Sequence, residues 1–190
     1  MASISHYFFG FSLLDYFIAF LGAFITDFDV FFVKYARDHN HRMLISHSII
    51  PGVVVVIVGL IFNWIALIIC GIGLLLHVLI DTFDWGTNVF YFPKKVVGLK
   101  LLITKDEFEN LDKYLTHYKQ NESFFDFRYY SCKMCLVLEG FLFVLMLISS
   151  VGLAIVYIII VPLYFIGLFF HLSIHFKLKK IEANYMMEKE

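Results

Sequence analysis

From residue 49 to residue 80 the chain runs for 32 residues without an Asp, Glu, Lys or Arg. A bilayer core is crossed by about 20 helical residues, so this run is too long for one span. Asn63 and Trp64 stand near its middle, a turn-former beside an aromatic that favours the membrane interface. The run therefore reads as a helical hairpin with arms at 49–62 and 64–80. Residues 136–176 repeat the pattern over 41 residues, with Glu139 as the only acid and Ser149, Ser150 and Gly152 as turn punctuation. Its arms are expected at 134–148 and 153–171. A further apolar stretch, 7–26, is interrupted only by Asp15.

The expected fold class is thus an all-α integral membrane protein of about five transmembrane helices, including two helical hairpins, in a single membrane domain over 1–190. Composition agrees: 61% of residues are hydrophobic, 16% are charged, and the mean hydropathy is +0.81. A soluble domain of 190 residues lacks the interior to hide that much apolar surface. Intrinsic disorder is excluded by the same numbers. A net charge of -1 without a basic recognition module argues against nucleic acid as a partner. The expected partner is the lipid bilayer.

Between the hairpins lies a polar insert at 82–133. Pro93, Lys94 and Lys95 mark a turn, and Thr104 followed by Glu107 forms a capping-box pattern that opens a short amphipathic helix over 105–119. All 15 Lys and Arg residues fall in 34–42, 94–133 and 177–189. With five spans these three segments share one side, which the positive-inside rule makes cytoplasmic. The expected location is the cell membrane, multi-pass, with the basic loops and the C-terminus in the cytoplasm.

Of the three cysteines, Cys132 and Cys135 form one CxxC. A structural zinc site needs about four ligands, so chance spacing is the favoured reading, with palmitoylation or redox use as alternatives.

Ionisable residues gather where the helices leave the membrane. Asp27 and Asp29 follow the first apolar stretch. His39, His41, Arg42 and His47 precede the second, and His77 and Asp81 close the third. The hairpin brings its own two ends to one face, and the first stretch ends on that face. His77 and Asp81, four apart on a helix, point the same way and could clamp a divalent ion. Two carboxylates held close, such as Asp27 and Asp29, repel unless a cation or proton lies between them. Any one of these imidazoles reads more simply as a solvated interfacial residue. Four imidazoles and three carboxylates on one face read as a metal site.

These motifs resemble the YdjM-like family of membrane-bound metal-dependent hydrolases. That family carries Pro-Asp-x-Asp after a hydrophobic helix, and Thr26-Asp27-Phe28-Asp29 is similar, with Thr26 in place of the proline. His41-Arg42 and Ser46-His47-Ser48 match its next element. Gly73, His77, Asp81, Gly86, Phe92 and Pro93 match the third. The resemblance covers roughly residues 20–93. It implies metal ligation by His41, His47, His77, Asp81 and Asp29, with His6 as a candidate near the N-terminus if the first segment folds back at about Leu14-Asp15. His39 is the alternative to His41.

Imidazole with carboxylate suits a divalent ion, zinc or manganese first and iron(II) next. Asp27 or Asp29 would bridge ions or accept a proton from water, and the fork of Arg42 would suit a phosphate. The expected activity is metal-dependent hydrolysis at the cytoplasmic interface, on a phosphoester or lipid-derived substrate. The alternative is a non-enzymatic metal-binding or metal-transporting membrane protein, which calls for polar residues in series inside the spans. Asp15, Asn63 and Glu139 are the few on offer. A haem protein, with His77 facing His171, ranks third. His117, His171 and His175 read as solvated or interfacial residues.

Overall fold

The computed structural model describes residues 1–36, 41–92 and 95–189. The chain is helical, with no strand among the described residues. It divides into two units, Met1–Leu101 and Leu102–Glu190.

In the first unit the apolar stretch 7–26 is not one helix. It forms α1 (Ala2–Phe9) and α2 (Leu13–Leu21), followed by a 3-10 segment, Ile25–Tyr35. Two local signals make the break. Gly10 ends α1 at φ 62°, a backbone region that costs glycine nothing. Ser12 then opens α2 with a capping box: its hydroxyl accepts from the Asp15 amide, and the Asp15 carboxylate accepts from the Ser12 amide. The expectation of a single span at 7–26 is corrected accordingly, because nine helical residues reach only about 14 Å.

The hairpin forms as expected. α3 (Ile49–Ile61) and α4 (Ile65–Asp84) are joined through Asn63, which takes the left-handed φ of 49° that asparagine tolerates. The two helices meet through glycine: a Cβ on Gly71 would come within 2.8 Å of the Gly52 carbonyl oxygen. α2 lies parallel to α4. Near the start of α4 the Trp64 indole donates to Asp15 at 2.7 Å. Further along, Gly22 sits so close to α4 that a Cβ would stand 2.2 Å from the Cys70 carbonyl oxygen.

In the second unit the capping box at Thr104 and Glu107 is present. The helix after it is shorter than the expected 105–119. α5 (Lys105–Glu109) breaks at Asn110, whose side chain bonds back to Asp106, and α6 (Leu111–Leu115) follows. α7 (Asn121–Ser131) is tied to the C-terminal helix by Glu182, which accepts from the amides of Lys119 and Gln120 and from the Ser123 hydroxyl. α8 (Lys133–Leu153) runs through Ser149, Ser150 and Gly152 without turning, and the chain breaks at Ala154. The serines fail as punctuation because Ser149 donates to the Met146 carbonyl within its own helix. A short 3-10 stretch, Ile155–Ile160, leads into α9 (Val161–Met187).

Among the described residues, three helices are long and apolar enough to cross a membrane: Ile65–Asp84, Lys133–Leu153 and Ile155–Met187. The helix Ile49–Ile61 is apolar but shorter.

Candidate metal centre

The site lies where α2 and α4 end and α3 begins in the first unit. Ser48 caps α3 by accepting from the Ile50 amide, which fixes His47 immediately before the helix. The Thr87 hydroxyl donates to the His47 carbonyl at 3.2 Å, and the Ile49 amide donates to Val89. These bonds bring the chain after α4 against the chain before α3. The His47 side chain is completely buried.

Each imidazole has one nitrogen held from behind and one directed into the cluster. The Nδ1 of His47 is 3.0 Å from Asp29 Oδ2, and Asp29 also accepts from the Ser46 hydroxyl at 2.7 Å. The Nε2 of His47 is 2.5 Å from Asp81 Oδ2. The Nδ1 of His77 is 3.0 Å from the Ala23 carbonyl, which can only accept. That bond puts a proton on Nδ1 and leaves Nε2 with a lone pair in the neutral ring or a second proton in the imidazolium. This Nε2 lies 3.2 Å from Asp27 Oδ1 and 3.5 Å from Asp81 Oδ2, yet it is buried without a hydrogen bond. A lone pair facing two carboxylates is satisfied only by a proton or a cation.

One atom each from Asp27, His47 and His77 can be chosen so that all lie within 4.8 Å of one another, and Asp81 adjoins both rings. Donors bound to one zinc ion at about 2.0–2.2 Å in a tetrahedron stand about 3.3–3.6 Å apart. The separations of His77 Nε2 from Asp27 and Asp81 are close to that edge length. The contact between His47 and Asp81 is shorter and is that of a shared proton. Burial alone would lower the pKa of His47. The hydrogen bonds and charges of Asp29 and Asp81 outweigh burial and raise it to about 9.

Asp27 is the open side of the cluster, with 59% of its side chain exposed, while Asp29 is buried behind His47. The Arg42 fork, read from sequence as a phosphate binder, is engaged by carboxylates. It makes a two-point contact with Asp84 at 2.7 and 3.0 Å and reaches Asp81 Oδ1 at 3.3 Å. Arg42 therefore braces Asp81 from the side away from the imidazoles.

His6 is not part of the cluster. Its Nδ1 bonds the Phe11 carbonyl, and its ring meets Tyr16, one residue from the Asp15 that reaches Trp64. His41 opens a short turn, His41–Met43, but its side chain is outside the described residues, as are His39 and Pro93. Elsewhere, His175 bonds Asp126, His171 bonds Tyr130, and His117 is exposed and bonds its own helix backbone. Asp84 and the Ala23 carbonyl escape the sequence reading. Asp84 had one available signal: it lies three residues beyond Asp81 on the same helix, and a buried arginine needs a counter-charge.

Compared with protein-family models, curated proteins and solved structures, the chain matches none.

Proposed function

We propose that the protein is a membrane-bound metal-dependent hydrolase whose site holds a divalent cation between Asp27, His47, His77 and Asp81. The observation that carries this reading is the buried Nε2 of His77, without a hydrogen bond and aimed at the carboxylates of Asp27 and Asp81. Asp29 orients His47, as carboxylates behind metal-ligating imidazoles commonly do, and Arg42 with Asp84 orients Asp81. A divalent cation here would polarise a substrate oxygen and acidify water. Asp27, the most exposed of the set, is the residue placed to accept a proton. Phe28, Phe31 and Phe32 are exposed on the same 3-10 segment as Asp27, which favours a substrate with an apolar portion, such as a lipid-derived phosphoester. Against a transport role, Asp15 bonds Ser12 and Trp64, and Glu139 bonds Tyr129 and Tyr164, so neither is spare for an ion path.

The test is metal content, measured by mass spectrometry on protein purified in mild detergent. Wild type is expected to retain about one divalent ion or more per chain, and His77→Ala and Asp81→Asn to lose most of it. Equal, substoichiometric metal in all three would overturn the proposal. Turnover of generic phosphoesters with manganese or zinc is the companion assay, expected to fall about 100-fold or more in Asp27→Asn.

A further inference from the structure

The second unit contains a pair of thiols unrelated to the His/Asp cluster. Cys132 is the N-cap of α8 and Cys135 sits in its first turn. Both are partly accessible, and neither is in a disulfide. The Cys135 thiol donates to the Cys132 sulfur at 2.9 Å. Cys132, as the N-cap, has extended rather than helical backbone angles, so the pair is not held at the Cβ spacing of about 5–6 Å that two helical residues three apart would have and that a disulfide could not span; the two sulfurs already stand 2.9 Å apart. The pair is also asymmetric. The Cys135 thiol donates to Cys132 Sγ, and this bond together with the nearby backbone amides of Cys135 and Met134 holds the Cys132 pKa below the ordinary thiol value. Negative charge on that sulfur is further favoured by its place at a helix N-terminus. Cys70, in the other unit, is buried.

We infer that Cys132 and Cys135 form a redox-active dithiol, in which Cys132 attacks an incoming disulfide and Cys135 resolves the adduct. The co-reactant is a small-molecule disulfide. The Cys132 thiolate attacks one of its sulfurs, forming a mixed disulfide and expelling one thiolate, which takes a proton from solvent. Cys135 then gives up its proton and attacks Cys132 Sγ, expelling the second thiolate. The protein's two thiols are oxidised to one disulfide, and one disulfide is reduced to two thiols.

The experiment uses full-length protein in detergent, equilibrated with mixtures of reduced and oxidised glutathione. It is quenched in acid, and free thiols are tagged with a maleimide polymer for gel shift. Wild type is expected to lose two tags together as the mixture becomes oxidising, in a single transition governed by the squared concentration of reduced glutathione divided by the concentration of oxidised glutathione. Cys132→Ser and Cys135→Ser each abolish that paired loss, while Cys70→Ala retains it. Peptide mapping after brief iodoacetamide exposure is expected to find Cys132 modified at least ten-fold faster than Cys70 at neutral pH. Three outcomes would overturn the inference: both thiols remaining taggable in the most oxidising mixture, a stable glutathione adduct on Cys132 that Cys135 never displaces, or zinc held by the pair that blocks oxidation.

Discussion

His47 stands between two carboxylates, and the proton it holds there is what a cation must displace. Its folded pKa of about 9 exceeds the ordinary value of 6.5, so in metal-free protein the folded state holds this proton more tightly than the unfolded state. The stabilisation is complete below pH 6.5 and is lost as the pH rises through 9, with a ceiling of about 3 kcal/mol. Chelator-treated wild type is therefore expected to lose more Tm between pH 6 and pH 9.5 than His47→Gln does. Added zinc should act in the opposite sense, raising Tm more at pH 8 than at pH 6, because ligands must be deprotonated before they bind metal. A second expectation concerns Asp84, which touches neither imidazole but holds the Arg42 fork. Asp84→Asn should weaken metal binding about 10- to 100-fold, the usual cost of a lost supporting contact, as measured by competition with a chromogenic chelator. Unchanged affinity would mean that Asp81 keeps its place without the brace.

Between elements, the site depends on close helix contact. Gly73 faces the Gly22 backbone, and a Cβ there would come within 2.9 Å of it. The next residue after Gly22 is Ala23, whose carbonyl fixes the tautomer of His77. Gly73→Val should thus pry α2 from α4, destabilise the unit by about 1–3 kcal/mol and release metal. Gly140→Ala on α8, where a Cβ would meet nothing within 4 Å, should do neither; denaturant titration and metal content together separate the two. The same contacts explain what could be read from sequence. The α3–α4 hairpin was legible because an uncharged run too long for one span has few other solutions, and the junction of Asp27, His47, His77 and Asp81 followed from that hairpin. The break in 7–26 was not legible from hydropathy, because Ser12 and Asp15 act as a cap only if the backbone between them turns. The break at Ala154 was equally hidden, since it has no side-chain signal, while the serines before it satisfy themselves within the helix.

For the molecule as a whole, the length of α4 separates the hairpin turn from the His/Asp cluster. α4 is 20 residues long, about 30 Å, with Trp64 at one end and His77 through Asp84 toward the other. A helix of that length and hydropathy, placed across a bilayer, puts the hairpin turn on one side and the His/Asp cluster on the other. The basic residues of this unit, Lys34, Arg37, Arg42, Lys94, Lys95 and Lys100, flank the cluster in sequence, and none lies between 43 and 93. By the positive-inside rule the expected side for the cluster is the cytoplasm, an expectation that thiol labelling tests. In a background with Cys132 and Cys135 changed to serine, a new thiol at Phe62→Cys, an exposed position at the hairpin turn, should react with a membrane-impermeant maleimide in intact cells. A new thiol at Lys95→Cys should react only after permeabilisation. The reverse pattern would place the site outside, with an extracellular substrate. Labelling of both in intact cells would mean that α4 does not cross, and the membrane reading of this unit would fall with it.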